Sequence, residues 1–157
     1  MTQSEHESLE AVQPRRGFEK YFTVEKADAA LVLVRRIVQD VVPRFAQVLQ
    51  LRDEANDLSG SAESGARLLE IREELIDLQQ ALNTLHAELE RIGCALKDWQ
   101  TGLVDFPAIL EGREIWLCWH PNETAITHWH EIDNGFSHRQ PLTPAQRLQI
   151  AKEAARD

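Results

Sequence analysis

Between Leu68 and Ile92 the apolar residues Leu68, Ile71, Leu75, Leu78, Leu82, Leu85, Leu89 and Ile92 advance by alternating steps of three and four, four heptads without a miss. That period lines them along one stripe of an α-helix, a coiled-coil-like seam that needs an apolar partner. The partner lies upstream. Ala27, Leu31, Val34, Val38, Val41, Phe45 and Val48 repeat the same alternation. Thr23 is placed to cap the start of this first helix, and Glu25 sits in its first turn, where the helix dipole favours an anion. Between the two patterns, Leu58 to Gly65 is rich in Ser and Gly and reads as the tip of an antiparallel hairpin. Gly93 ends the second helix, as a residue tolerant of the left-handed conformation commonly does. Pro43 lies inside the first stripe without shifting its phase, so the reading there is a kink near Gln39–Val42 rather than two collinear pieces.

Two helices of roughly 30 residues bury only one face each against one another. Leu33, Ile37, Val42, Leu69 and Ile76 are apolar and off the main stripes. They predict a second seam, covered by the rest of the chain or by a second copy, and hence a homodimer in a four-helix arrangement.

After Gly93 the period changes to that of strands. Leu103–Ile109, Glu114–His120 and Ala125–Ile132 are short and rich in aromatic and β-branched residues, with Glu111-Gly112 and Pro121-Asn122-Glu123 between them as turns. They predict a three-stranded antiparallel meander. Asn134-Gly135 and Pro141 then mark loops, and Thr143 caps a short last helix that begins at Pro144. The fold class is α+β in a single domain over residues 20–157, hairpin 20–93 and sheet with helix 94–157. Residues 1–19 lack an apolar period and read as a disordered tail.

A net charge of −9 would repel a phosphate backbone, and the nearest basic group, Arg15, Arg16 and Lys20, is interrupted, so nucleic acid is not an expected partner. No apolar run approaches the ~20 residues of a membrane span. The polar, acidic start lacks the features of an export signal, which predicts a cytoplasmic protein, and Cys94 and Cys118 are then expected as buried, reduced thiols.

Chemistry-bearing side chains collect in the C-terminal part: Trp99, Trp116, Trp119 and Trp129, and His120, His128, His130 and His138. In a strand His128 and His130 share a face, and a His-x-His pair is a metal-ligand spacing, with a third ligand to come from His120, Asp133, Asp105 or His138. The weightier reading has no cofactor, with His130, Glu131, Asp133 and Arg139 as a charge-paired network tying the last strand to the following loop. The same groups, with Arg139 and Arg113 as donors, would suit a small anion, although no glycine-rich phosphate loop is present. Cys118 beside His120 has the offset of a nucleophile and base, but between Leu117 and Trp119 it reads as a small core hydrophobe. Asp105, between Val104 and Phe106, needs a partner such as Arg113 or Lys97.

KYFTVEKAD at Lys20–Asp28, GLVDFPA at Gly102–Ala108, GRE at Gly112–Glu114, LCW at Leu117–Trp119 and WHEIDNGF at Trp129–Phe136, followed by Arg139, together resemble a bacterial family, the domain-of-unknown-function family numbered 2203. The resemblance implies a small cytosolic bacterial protein and carries over no reaction or ligand. It implies that a common site, if the family has one, holds Asp105, Arg113, His130, Glu131, Asp133 and Arg139. His120, His128 and His138 lie outside the matching segments. The function expected is a non-catalytic, dimeric binding or assembly module, with a metal-dependent hydrolase around His130, Glu131 and Asp133 as the alternative. In that alternative Glu131 or Asp105 is the general base.

Overall fold

Helix α1 spans Val24–Leu58 and α2 spans Gly65–Ile92 in the computed structural model, which describes residues 17–155. The predicted tail lies outside the described residues as far as Arg16; of its last three residues, Phe18 sets its ring against Trp116 at 4.8 Å. Thr23 caps α1 by accepting from the amide of Lys26 at 3.1 Å. Helix α1 runs through Pro43 as one element. Proline leaves the Gln39 carbonyl without its helical donor, and because Gln39 is exposed, water can take that place. The turn at Ser59–Ser64 reverses the chain, and Arg67 on α2 clamps Glu54 on α1 through two bonds of 2.7 and 2.8 Å. Gly93, at φ +103°, closes α2 by donating to Leu89 and Glu90.

Of the α2 seam, Ile71, Leu82 and Leu89 are buried, and Leu68, Leu75, Leu78 and Leu85 are half-buried. Two of the five residues read as a second seam are used within the chain, since Ile37 is buried and Val42 packs against the core. Leu33, Leu69 and Ile76 are exposed.

The sheet has five strands rather than three, in the order β1 Ala95–Asp98, β2 Leu103–Leu110, β3 Arg113–Trp119, β4 His128–Glu131 and β5 Gln140–Pro141, all antiparallel. The two extra strands are short edges that carry no alternation of their own; pairing with β2 and β4 makes them strands. Glu111 and Gly112, at φ 54° and 75°, form the two-residue turn between β2 and β3, with the positive angles of a hairpin type I′ turn. Gly102, at φ +84°, precedes β2 where an added Cβ would lie 2.5 Å from Val38 Cγ1. No larger residue fits between α1 and the sheet at that point.

One face of the sheet is apolar. Val104, Phe106, Ala108, Ile115, Leu117, Trp119 and Trp129 join the buried stripe of α1 in a single core, which Ile126 and Ile150 complete. Ile150 belongs to α3, Pro144–Ala154, which opens with the predicted Thr143 cap, here a full capping box with Gln146. From the same helix Glu153 accepts the amides of Glu111 and Gly112 at 2.8 and 2.7 Å, fixing the β2–β3 turn. Asp28 on α1 likewise accepts the amide of Ile126 at 2.7 Å, which takes the segment before β4 out of the strand and into the core. Among the described residues no helix is long and apolar enough to cross a membrane.

Candidate functional site

The opposite face of the sheet carries the chemistry, and strand register determines which residues meet there. The two-residue β2–β3 turn sets Asp105 opposite Cys118, and the β3–β4 pairing sets Cys118 opposite His128. Pro107, Trp116 and His130 form the adjacent row. From that row His130 reaches back so that its Nε2 lies 2.9 Å from Asp105 Oδ2. Its other ring nitrogen, Nδ1, lies 2.9 Å from the Glu131 carbonyl. A carbonyl only accepts, so Nδ1 carries a proton and donates, and Nε2 is the atom turned inward. Asp105, Cys118 and His130 are all buried, at 3%, 1% and 3% exposure.

Burial of this kind shapes the electrostatics. Burial pulls the His130 pKa down, but the hydrogen bond and charge of Asp105 outweigh it, so the net shift is upward. For Cys118 burial and the neighbouring carboxylate act together, and against the pull of Arg139 they push the thiol up to about 12. A thiol so raised is a poor nucleophile, which argues against the Cys118–His120 pairing as a covalent catalyst. His120 instead uses its Nδ1 to accept the amide of Asn122 at 3.1 Å.

Above these groups lies a pocket of about 300 Å³, lined by Asp105, Cys118 and His130 on its floor, Lys97 and Leu103 on one side, and Asp133–Phe136 on the other. Lys97 holds its ammonium 4.1 Å from the centre of the Trp116 ring. The wall formed by Asp133–Phe136 is exposed loop, with Phe136 39% exposed at the rim. A second group braces the same region. Glu123 accepts from Arg139 at 2.8 Å, from the His120 amide at 2.8 Å and from Thr127 at 3.2 Å. Burial raises the Glu123 pKa, and these donors, Arg139 foremost, reverse that and hold it below the usual carboxylate value. Arg139 also lays its guanidinium 4.3 Å from the Phe136 ring centre, tying the loop to the turn before β4.

The structure thus brings together three of the six residues named from the sequence. Asp105, His130 and Asp133 line the pocket, and Arg139 stands behind its wall. Arg113 and Glu131 do not join them: they pair with each other, with a shortest bond of 2.7 Å, on the side of the sheet that carries the core. Glu131 is therefore not placed as a base for His130. The His128 ring is also turned elsewhere, with Nδ1 2.8 Å from Thr127 Oγ1 and 3.7 Å from Glu123. The groups that converge with His130 are Asp105 and Cys118, rather than the His128 expected from the His-x-His spacing. His138 is exposed and contacts Ser137. Asp105 takes neither Arg113 nor Lys97 as its hydrogen-bond partner, but His130.

Cys118 is a pocket residue that its apolar neighbours in sequence conceal. It is buried as expected, yet it lies outside the apolar cluster and on the pocket face. Counting back from the Glu111-Gly112 turn would have found it, since a two-residue turn pairs residue 110 with 113 and so 105 with 118. The sequence marks Glu123 only as part of a turn, and nothing in its immediate neighbours identifies it as a hub.

A family model described as an uncharacterized conserved protein, DUF2203, matches residues 20–142. The chain belongs to that family. The DUF2203 match takes in the hairpin, all five strands and every residue of the pocket, and stops before α3. No curated protein and no solved structure matches the chain. A larger cleft, about 470 Å³ between Gly17–Lys20 and the end of α2, borders the point where the described chain begins. Among the described residues it brings no comparable set of buried polar groups together, so the sheet pocket is the candidate site in this DUF2203 protein.

Proposed function

We propose that the protein is a binding module, in which the helical hairpin serves as scaffold and assembly element and the pocket on the sheet receives a small polar ligand. The observation that carries this reading is a buried Asp105–His130 pair at the floor of a concave pocket. Apolar residues of similar volume generally stabilise a fold as well as a buried ion pair does. Polar groups converging on the floor of a pocket are instead what ligand recognition requires. An exposed loop wall anchored by Arg139 supports the same reading, since binding residues concentrate on loops held by a rigid frame.

The assembly half of the proposal rests on the hairpin. Its outer seam is only half-covered by the chain itself, and a groove lined by Ala55, Leu68, Ile71, Leu75 and Ile76 runs along it. A homodimer through this groove is expected, with a sedimentation mass twice 17.9 kDa, and Ile76→Glu should return the protein to monomer.

The binding half is tested by titrating isotope-labelled protein with a panel of small carboxylates, phosphates and amines while recording amide shifts. Shifts gathered at Lys97, Asp105 and Asn134–Phe136 are the expected result. Shifts confined to the hairpin groove, or none at all, would remove the pocket from consideration.

A further inference from the structure

We propose that Asp105, Cys118 and His130 hold a divalent metal of the zinc class on the pocket floor, with a fourth coordination position facing the pocket. The inference rests on the reading of that pocket as the binding site and specifies what it binds. A carboxylate oxygen, a sulfur and an imidazole nitrogen lie within 4.8 Å of one another. Around a tetrahedral zinc, with bonds of about 2.0 to 2.3 Å, such atoms stand about 3.3 to 3.6 Å apart. The widest separation therefore needs to close by only about 1 Å, while the His130–Asp105 contact, at 2.9 Å, needs to open by about 0.4 Å, and side-chain rotation can supply both.

The orientation of His130 is the second argument. Its Nδ1 donates to the Glu131 carbonyl, the outer contact that metal-bound histidines characteristically make, because it fixes the tautomer that leaves Nε2 to bind. With Nδ1 protonated, Nε2 faces a carboxylate oxygen at 2.9 Å, and something positive has to sit between them. A proton fills that role when no metal is bound. A cation would sit beside the line that joins them and would also engage the sulfur, which a proton shared by His130 and Asp105 cannot do.

A divalent cation bound here would displace the thiol proton of Cys118, as metals do at cysteine ligands. The donor set selects within that class. Thiolate with imidazole favours zinc, cobalt or iron, and disfavours magnesium and calcium, which take oxygen ligands. Three protein ligands with an open position on a pocket is the arrangement of sites that bind or activate a further molecule, whereas purely structural zinc sites are closed by four. The fourth position would take water or an anionic atom of the ligand.

The experiment is a titration of the full-length, chelator-treated protein with Co²⁺ alone and with Zn²⁺ alone, followed by absorption and calorimetry. One equivalent of cobalt and a thiolate-to-metal charge-transfer band are expected. Cys118→Ser should abolish the band and weaken binding by about a hundredfold or more, since loss even of an outer-shell contact costs roughly 10- to 100-fold. His128→Gln should leave both unchanged. His130→Gln gives a second reading of the same loss should Cys118→Ser fail to fold by circular dichroism. Absence of the band in the wild type, equal uptake by Cys118→Ser, or loss in His128→Gln instead would overturn the proposal. Pocket amides that shift with small ligands while neither metal binds would overturn the metal site and leave the binding pocket standing. No response to either would overturn both.

Discussion

The hairpin and the pocket face of the sheet are stabilised in opposite ways. Along the hairpin many interchangeable leucines share the work, several of them only half-buried, and polar contacts such as Arg67–Glu54 lie at the surface. On the pocket face a few groups that cannot be exchanged are buried together, Asp105, Cys118 and His130 within three adjacent strands. A repeated, redundant pattern makes a scaffold that tolerates change. A concentrated polar cluster gives little net stability and fails when one member is removed, which is the property expected of a site rather than of a frame.

The comparison is broken most directly at Asp105. Asp105→Ala leaves His130 buried with no carboxylate, and removing one partner of such a pair typically costs about 3 to 5 kcal/mol. The double variant Asp105→Leu/His130→Leu should recover most of that loss in urea unfolding while losing any pocket ligand. If the double variant unfolds as readily as the single one, the pair is a stabilising element and the contrast with the hairpin disappears.

Within the hairpin the same contrast can be sharpened residue by residue. Leu82 is 2% exposed and Ile76 is 49% exposed. Leu82→Ala should cost about 2 to 5 kcal/mol, as buried leucines do. Ile76→Ala should stay within about 0.5 kcal/mol in the isolated chain, as surface substitutions do. A larger loss for Ile76, growing with protein concentration, would mean that a partner covers it.

These differences also explain what could be read in advance. The seam of α2 and the stripe of α1 were legible because a helix buried on one face must repeat its apolar residues, and Thr23 and Thr143 were legible because a cap is a local property. The three central strands were found from their composition. The edge strands were not, since Ala95–Asp98 and Gln140–Pro141 become strands only by pairing with a neighbour. Both faces of β3 are buried from Ile115 to Trp119, and that erases the alternation which would have separated Cys118 from the core. Asp105, His130 and Asp133 stood out as polar residues in apolar surroundings. That His130, rather than Arg113 or Lys97, is the partner of Asp105 follows from the register of three strands, and no single segment contains that information.

The smallest expected effect lies at the brace behind the pocket. The folded pKa of Glu123 is held below the ordinary carboxylate value, with Arg139 the main donor working against burial. A carboxylate with a depressed folded pKa contributes stability that is fully present above the unfolded value and is lost as pH falls through the folded one. The wild type should therefore exceed Arg139→Met in stability by a margin that is constant above about pH 5 and narrows as pH falls below about 4.5. For a partly exposed pair the pH-dependent part should be no more than about 1 kcal/mol. What remains at the acid end is the contact of Arg139 with Phe136, which does not titrate. Urea midpoints for the two proteins across that range are the measurement. A margin that does not change with pH would show that Arg139 holds the loop by its stacking on Phe136, and that the pocket wall is independent of Glu123.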